Sequence, residues 1–458
     1  MYLSFDIFRA YDIRGTVPET LNSEVAYLIG RALGSIAAER KIGKIAVGRD
    51  GRLSGPELQK SLMKGVTDSG IGVLDVGLVT TPMLYFAAFS FCNGSGIMVT
   101  GSHNPSNQNG FKIMLAGVTF AGEAIELLYA DIAQAKFNRI GEEGLVDVLD
   151  VSSRYISYIS SSVKLKRKLK IAVDCGNGVA GLYAATLYRN LGCEVVELFC
   201  DVNGNFPNHH PDPSRPENLI SLIKTVKEQK CELGFAFDGD GDRLGVVTAQ
   251  GDIIWPDRQL MLFAQNVLSQ NPGSCVIYDV KSTRHLESWI EEHGGKPVLS
   301  RTGHSFIKQK IKETGALLAG EMSGHIFFKD RWFGFDDGLY AGSRLLEILS
   351  DFDDPTAVLN QIPNSVSTPE INIKMKVEGE NYQLIERLQK EAHFDGALRV
   401  VTIDGLRVEY EYGFGLVRAS NTTPSLVLRF EADSAENLEQ IKAAFRKILT
   451  QYDVPVTF

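Results

Sequence analysis

One order of elements, strand, polar loop, helix and strand, recurs three times along this chain of 458 residues. The strands that open the copies are short apolar runs at residues 44–48, 170–173 and 274–278. Such runs are typical of strands buried between layers of helices. The copies lie roughly 100 residues apart, which is too far for a solenoid. We therefore predict three α/β domains of related build with mixed sheets.

The last part of the chain has a different pattern. Its predicted elements are an alternating strand, a helix, three strands and a second helix, at residues 372–377, 382–392, 398–403, 407–412, 426–430 and 436–452. Consecutive strands between helices predict a smaller C-terminal α+β domain. Polar or proline-containing segments place the four predicted domains at residues 1–147, 148–252, 253–363 and 364–458. Ligands of open α/β sheets bind at the carboxyl ends of strands, so the loops there are the candidate sites.

The charge balance limits the kinds of partner. With 47 basic and 56 acidic residues the net charge is −9, which argues against a general nucleic-acid or anionic-membrane surface but allows a locally basic cleft. The longest uncharged stretch, residues 76–111, has a continuous apolar part only at residues 83–89. That part is far shorter than the ~20 residues of a membrane-spanning helix. We expect the stretch to be buried, and neither nucleic acid nor a membrane as a partner.

The N-terminus and the cysteines indicate the compartment. The first residues contain no basic region and no apolar core of signal-peptide length. The six cysteines show no Cys-x-x-Cys spacing, which disfavours a zinc site and a disulfide framework. A cytoplasmic protein with buried thiols is expected.

A serine follows the apolar strand predicted at residues 96–99. Residues 100–105 read Thr-Gly-Ser-His-Asn-Pro, so Ser102 lies where the strand ends. Its hydroxyl is a candidate nucleophile that requires activation by a base or a metal. A turn in which Ser and Asn bond the backbone explains the same string equally well. No G-x-S-x-G elbow occurs, so an esterase triad has no support.

The strongest local signal is an acidic loop after the apolar strand at residues 233–237. Asp238, Asp240 and Asp242 are separated by single glycines, which lets the backbone curl until the carboxylates converge on one hard cation such as Mg²⁺. Arg243 adds a planar donor suited to phosphate. An EF-hand is disfavoured because Arg243 and Ala249 stand where that loop requires Gly and Glu. An Asp/Gly surface turn remains the alternative.

Two further loops carry polar groups. Glu321 and Ser323, flanked by glycines, suit the hydroxyls of a sugar, and His325 is placed for proton transfer, although an isolated histidine is more often structural. Arg418 precedes the small polar residues 419–423 between two predicted strands. This second loop suits phosphate oxygens, or is an ordinary polar hairpin loop.

Taken together, the four loops, one in each predicted domain, resemble the α-D-phosphohexomutase family, most closely its bacterial phosphomannomutase/phosphoglucomutase branch. The likeness covers essentially the whole chain. It begins at residues 8–15, passes through the serine, aspartate and Glu-Met-Ser loops, and ends at residues 418–424. The resemblance implies four domains around one central cleft, with one of these loops supplied by each domain.

The resemblance also implies a reaction. Ser102 carries a phosphoryl group, and Asp238, Asp240 and Asp242 hold Mg²⁺ together with a phosphoserine oxygen. The phosphoryl group passes to a hexose phosphate, which becomes glucose 1,6-bisphosphate or mannose 1,6-bisphosphate. This intermediate turns around in the cleft and returns its other phosphate to the serine. The net reaction is reversible transfer of phosphate between C1 and C6 of mannose and glucose phosphates.

Other residues match family positions. In this reading the non-reacting phosphate is held by Arg418, Ser420, Asn421 and Thr422, and the sugar 3- and 4-hydroxyls by Glu321 and Ser323. The remaining matched positions lining the cleft are Tyr11, Arg14, Lys112, Arg243, Lys281, His304 and His325. Lys112 and His325 are expected to be the proton-transfer pair, and His103 and Arg14 to support the phosphoserine.

The substrate class follows from one loop of this resemblance. Met322 gives Glu-Met-Ser, where phosphoglucosamine mutases usually carry Gln, which favours glucose and mannose phosphates. Contacts to the 3- and 4-hydroxyls do not distinguish epimers at C2, so dual specificity is expected. The alternatives are a phosphoglucosamine mutase, a non-catalytic sugar-phosphate binding protein and a metal-dependent phosphatase. Close relatives in the family imply a monomer.

Overall fold

The computed structural model describes residues 3–138, 141–377, 379–421, 423–456 and 458. Within these ranges the chain forms four sheets that follow one another along the sequence, each with its own helices. The first three sheets mix parallel and antiparallel pairs, and the fourth is antiparallel. The predicted fold class, three α/β domains and a C-terminal α+β domain, is confirmed.

The first sheet has the strand order β1-β5-β4-β2-β3-β7, with β6 beside β5. Its elements are β1 (Ile13–Thr16), α1 (Ser23–Glu39), β2 (Lys44–Arg49), α2 (Gly55–Asp68), β3 (Gly72–Leu78), α3 (Thr81–Phe91), β4 (Gly96–Val99), β5 (Gln108–Leu115), β6 (Val118–Thr119), α4 (Glu123–Ala133) and β7 (Val146–Val148). The central strand β2 is apolar along its buried length because α2 and α3 both pack against it. The uncharged stretch 76–111 is divided among β3, α3, β4 and β5, and is largely buried as expected.

The second sheet has the order β12-β11-β10-β8-β9. Its elements are α5 (Ser152–Ser162), β8 (Lys170–Asp174), α6 (Ala184–Asn190), β9 (Glu194–Leu198), α7 (Ile220–Glu228), β10 (Leu233–Phe237), β11 (Leu244–Thr248) and β12 (Ile253–Ile254). The helical segment predicted between the two strands of this unit consists of a 3-10 turn, Val179–Leu182, followed by α6. The backbone of Tyr183, with φ −124°, separates the two. Strand β10 is buried along its whole length and leads into the acidic loop.

The third sheet has the order β14-β13-β15-β16. Its elements are α8 (Pro256–Gln270), β13 (Cys275–Asp279), α9 (His285–Glu292), β14 (Lys296–Ser300), α10 (His304–Thr314), β15 (Leu318–Gly320), β16 (Ile326–Phe328), α11 (Gly338–Leu349) and α12 (Pro355–Gln361). Helix α11 begins after Asp337, whose side chain accepts a hydrogen bond from the Tyr340 amide in an N-cap.

The fourth sheet has the order β17-β22-β21-β20-β19, with β18 beside β22. Its elements are β17 (Val366–Ser367), β18 (Ile371–Lys374), α13 (Glu380–Glu391), β19 (Arg399–Val401), β20 (Leu406–Tyr410), β21 (Gly413–Ala419), β22 (Ser425–Ala432) and α14 (Ala435–Gln451). Both helices pack against the long hairpin of β21 and β22, and the candidate phosphate-binding residues Arg418, Ser420 and Asn421 lie at the turn of that hairpin.

The hydrophobic core joins the first three units. One buried cluster extends from Leu84 in α3 through Phe235 in β10 to Leu345 in α11. A smaller cluster of Val280, Phe414 and Leu416 connects the third unit to the fourth. The strand ends of different units are therefore held against one another by packing, which allows loops from several units to meet.

Candidate active site

The turn after β4 holds Ser102 in an unusual backbone conformation. Its φ is 49°, in the left-handed region, and its side chain is buried. The Ser102 amide donates to Thr100 Oγ1 at 2.8 Å, and Thr100 Oγ1 donates to Asp50 Oδ2 at 2.7 Å. Non-glycine residues rarely adopt this conformation unless the surroundings fix it. The direction of the Ser102 hydroxyl is thus set by the loop around it.

The acidic loop after β10 meets this serine. Ser102 Oγ donates to Asp238 Oδ2 at 2.9 Å, and Asp238, Asp240 and Asp242 are all fully buried. A Cβ at Gly239 would lie 2.3 Å from the Ser102 carbonyl oxygen. Only glycine permits this approach. Gly239 therefore separates two of the aspartates and also allows the acidic loop to contact the serine loop.

Side chains of the first unit neutralise part of the acidic loop. Lys112, on β5, donates to Asp240 Oδ2 at 2.7 Å and to Asp242, and Thr81 Oγ1 donates to the same Asp240 oxygen. Burial disfavours the charged ammonium, but the two carboxylates outweigh it and hold the pKa of Lys112 well above its usual value. Burial, and then the neighbouring carboxylates, raise the pKa of Asp238.

The acidic loop fits a divalent cation. One carboxylate oxygen from each of Asp238, Asp240 and Asp242 lies within 4.8 Å of the others. Oδ1 of Asp240 and Oδ1 of Asp242 are buried and have no hydrogen-bond partner among the described residues. Buried carboxylate oxygens without partners are costly, and three hard oxygen donors are the ligands that Mg²⁺ prefers. The donor set therefore matches the predicted magnesium site.

Arg14 and His103 also lie close to Ser102. Arg14 is held by Asp12 at 2.7 Å and donates Nη1 to the Thr100 carbonyl at 3.2 Å. Burial and the neighbouring cations, Arg243 first among them, hold the pKa of His103 well below its usual range. His103 Nδ1 lies 3.3 Å from Ser102 Oγ. The serine loop is thus in contact both with the acidic loop and with the guanidinium of Arg14, an arrangement suited to a metal-bound phosphate.

The histidine of the third unit, His325, lies between Arg243 and Asp336. Arg243 Nε donates to His325 Nε2 at 3.0 Å, and His325 Nδ1 lies 2.9 Å from Asp336 Oδ2. We assign the proton to Nδ1 on this pattern. Asp336 also pairs with Lys308 at 2.7 Å. A backbone bridge between Arg243 and His325 joins the acidic loop to the Glu-Met-Ser loop.

The Glu-Met-Ser loop turns between β15 and β16. The buried Glu321 accepts a hydrogen bond from the Gly303 amide at 2.5 Å, and Ser323 is partly exposed in the turn. Tyr11 and His304 form an edge-on ring pair at 5.4 Å, and His304 lies 5.6 Å from the ring of His325. Three predicted positions, on the first and third units, are therefore contiguous.

The hairpin turn between β21 and β22 holds a buried guanidinium. Arg418 Nε donates to Asp404 at 3.0 Å, and its Nη2 is buried with no hydrogen-bond partner in the part of the chain that the structure describes. Asn421 donates to the Thr302 carbonyl at 3.4 Å, and the Ser420 amide donates to Ser425. The predicted Thr422 lies outside the described residues.

Lys281 follows β13 and is buried beside the fourth unit. Its ammonium pairs with Glu370 at 2.5 Å. Burial disfavours the charge, but Glu370 outweighs it and raises the pKa of Lys281. Lys281 is therefore a cation that lies between the third and fourth units. This is where a residue lining a cleft between them is expected.

Comparison with known proteins agrees with this geometry. The sequence matches phosphoglucomutase/phosphomannomutase, alpha/beta/alpha domains I, II and III and C-terminal domain, over residues 6–139, 153–251, 255–365 and 370–448. A phosphoglucomutase of Neisseria gonorrhoeae is 61% identical over 97% of this chain and 96% of its own length. The chain belongs to the phosphoglucomutase/phosphomannomutase family.

Two further relatives of this family show the same likeness. A phosphomannomutase/phosphoglucomutase of Pseudomonas aeruginosa is 56% identical over 100% of this chain and 98% of that protein. The crystal structure of a phosphoglucomutase/phosphomannomutase family protein from Burkholderia thailandensis has a TM-score of 0.95 at 54% identity, covering all of both chains. The family resemblance drawn from the four loops is confirmed.

Several residues of this phosphohexomutase site were not predicted from the sequence. Thr81, Asp336, Glu370 and Asp404 each contact a predicted site residue. Asp336 and Asp337 precede α11, and acidic residues are common at the N-terminal ends of helices. The sequence therefore offered no reason to assign Asp336 to the site. The turn after β2, which holds Asp50 and Arg52, was not among the predicted site loops, although it satisfies the same strand-end rule as Ser102.

None of the described helices combines the length and the apolarity that crossing a bilayer requires.

Proposed function

We propose that this protein catalyses reversible phosphoryl transfer between C1 and C6 of hexose phosphates, through phosphorylated Ser102 and a bound 1,6-bisphosphate. Mannose and glucose phosphates are the proposed substrates. The observation that carries the proposal is the hydrogen bond from Ser102 Oγ to Asp238, which places a phosphorylatable hydroxyl directly on the three-carboxylate loop. The close relatives named phosphoglucomutase and phosphomannomutase/phosphoglucomutase support it.

Mg²⁺ is the proposed metal, held by Asp238, Asp240, Asp242 and an oxygen of phosphoserine 102. When bound, the cation neutralises phosphoryl oxygens and so favours transfer with little covalent help. The protein provides the rest of the charge field. Arg14 contacts the serine loop and His103 lies beside the Ser102 hydroxyl, so both are proposed to contact the phosphoryl group.

The proposed proton-transfer pair consists of Lys112 and His325. The raised pKa of Lys112 keeps it protonated at neutral pH, so it would donate a proton or a hydrogen bond to a substrate oxygen. His325 Nε2 accepts a hydrogen bond from Arg243 in this structure. A phosphate that draws the Arg243 guanidinium away would free that nitrogen for the proton of a sugar hydroxyl.

The turnaround of the bisphosphate requires two recognition loops that work in either orientation. Glu321 and Ser323 are proposed to accept from the 3- and 4-hydroxyls, which are similar in both poses. The distal phosphate is assigned to the loop of Arg418, Ser420, Asn421 and Thr422, with Lys281, His304 and Tyr11 lining the cleft between. Nη2 of Arg418 is buried without a hydrogen-bond partner among the described residues, which supports this assignment because a buried guanidinium donor requires an acceptor.

The proposal extends to the compartment and the oligomeric state. We place the protein in the cytoplasm, acting as a monomer on small hexose phosphates. The six cysteines, all among the described residues, are free thiols, as a reducing compartment allows. The names of the close relatives do not favour a phosphoglucosamine mutase.

An intact-mass measurement with and without glucose 1,6-bisphosphate tests the phosphoserine. The expected result is a gain of one phosphoryl group, which peptide mapping places on Ser102. The same preparation is expected to convert mannose 6-phosphate and glucose 6-phosphate to their 1-phosphates in the presence of Mg²⁺. Net release of inorganic phosphate would identify a phosphatase instead, and faster turnover of glucosamine 6-phosphate would identify the amino-sugar mutase.

The Arg418→Met variant is expected to lose substrate affinity more than turnover. A charge-assisted hydrogen bond contributes about 1.5–3 kcal/mol, so the KM for glucose 1-phosphate should rise roughly 10- to 150-fold. Asp404 keeps the Thr302 amide as a donor in this variant. Arg446→Met, on α14 of the same unit, is the matched control and should leave KM unchanged. An unaltered KM in Arg418→Met would remove this loop from the phosphate site.

A further inference from the structure

The side chain of Arg52, in the turn after β2, is fully buried beneath the loop that carries Ser102. Its guanidinium donates to four backbone carbonyls of that loop, at 2.5–2.9 Å: those of Ser102, Asn104, Pro105 and Gln108. The remaining donor, Nε, lies 3.2 Å from Asp50 Oδ2. All three guanidinium nitrogens are therefore used within the protein, and none is directed at a ligand.

The loop is shaped around this guanidinium. A Cβ at Gly101 would lie 2.2 Å from Arg52 Cζ, so any other residue there would displace the arginine or the serine turn. Phe206, from the second unit, covers the guanidinium at 5.3 Å. A planar fork of donors can satisfy several carbonyls at once, whereas an ammonium cannot match this geometry.

Arg52 and Asp50 act on both sides of Ser102. Asp50 Oδ2 accepts from Thr100 Oγ1, which in turn accepts from the Ser102 amide. Arg52 Nη2 holds the Ser102 carbonyl at 2.9 Å. The left-handed backbone of Ser102 is thus fixed at its amide and at its carbonyl by one buried ion pair.

We propose that Arg52 is a positioning residue for phosphoryl transfer, which fixes the direction of Ser102 Oγ toward the acidic loop without touching the substrate. The inference rests on the proposed function. Loss of the four carbonyl contacts would let the serine turn relax while the sugar and distal-phosphate loops stay intact. The consequence is a loss of kcat without a matching change in KM.

The test uses Arg52→Met and Arg52→Lys, with Arg344→Lys as the control. Arg344 is equally buried and ion-paired with Asp330, but it lies in α11, and its hydrogen bonds within the described part of the chain go to Asp330, Tyr340 and Asn266, not to the serine loop. At a temperature where each variant is folded, kcat should fall about 10²-fold in Arg52→Met, as expected for a misplaced reacting group, and at least about tenfold in Arg52→Lys. KM should stay within about twofold, and Arg344→Lys should keep the wild-type kcat.

Amide hydrogen exchange gives a readout that does not depend on activity. Exchange at residues 101–108 should rise in both Arg52 variants and not in Arg344→Lys. A folded Arg52→Lys with wild-type kcat, a change in KM alone, or unchanged exchange at 101–108 would each overturn the proposal. If Arg52→Met does not fold, the kcat, KM and amide exchange of Arg52→Lys alone test the proposal. Failure of the wild-type protein to isomerise hexose phosphates would instead refute the proposed function, and the exchange result would still decide whether Arg52 restrains the loop.

Discussion

The Ser102→Ala variant is expected to lose turnover of glucose 1-phosphate by at least about 10³-fold, because removal of a nucleophile eliminates the group that carries the covalent intermediate. The hydrogen bond to Asp238 is lost as well, but Asp238 keeps the amide of Arg243 as a donor. Fold and substrate binding should therefore survive. Initial rates with glucose 1,6-bisphosphate as activator, together with the intact mass, measure the effect.

The control for this experiment lies in the same loop. Ser106 is exposed, four residues further along, and Ser106→Ala should keep the wild-type rate and still gain one phosphoryl group. Ser102→Ala should gain none. Normal conversion by Ser102→Ala, or a phosphoryl group found elsewhere on that variant, would exclude the phosphoserine mechanism.

The Lys112→Met variant is expected to lose about 3–5 kcal/mol of unfolding free energy when divalent metal is removed by chelation. The reason is that Asp240 and Asp242 would be left as buried charges without their cationic partner. Added Mg²⁺ should restore part of the loss, because a cation that binds only the folded state stabilises it. Urea unfolding of both proteins, with chelator and with Mg²⁺, measures the two quantities.

Lys64 provides the comparison for Lys112. It also pairs with carboxylates, Asp68 and Glu143, but its side chain is 54% exposed. Exposed pairs contribute about 0–1 kcal/mol, so Lys64→Met should change stability little and should not respond to Mg²⁺. If Lys112→Met were as stable as the wild type in chelator, the ammonium would not be balancing the acidic loop.

Local sequence patterns predicted the parts of the fold and site that depend on neighbours in the chain. Strand β10 and the carboxylates of Asp238, Asp240 and Asp242 were predictable because an apolar run ending in acidic residues and glycines has few other interpretations. Strand β8 and the C-terminal helix α14 were predicted close to their observed bounds because their apolar patterns are also local. The 3-10 turn at Val179–Leu182 was missed because apolar spacing does not distinguish it from a helix.

Contacts between distant segments were not predictable in this way. Arg52 reaches carbonyls about fifty residues further along the chain, and a basic residue in a polar turn gives no local sign of such a contact. Asp336 lies beside an ordinary helix cap, and its contacts with His325 and Lys308 arise only when β16 and α10 pack together. One sequence read alone supplies the residue types of a site, whereas tertiary packing supplies their pairing.

The close approach of Gly239 to the Ser102 carbonyl has a consequence for variants far from the site. Thr81 and Lys112 reach Asp240 from the first unit, so the geometry of the acidic loop depends on how the first and second units are docked. A substitution that loosens this docking at a remote core position would weaken the affinity for the cation before it unfolds either unit. The affinity for the cation would then depend on how firmly the first and second units are docked. A mild folding defect would appear as a higher Mg²⁺ concentration needed for full activity.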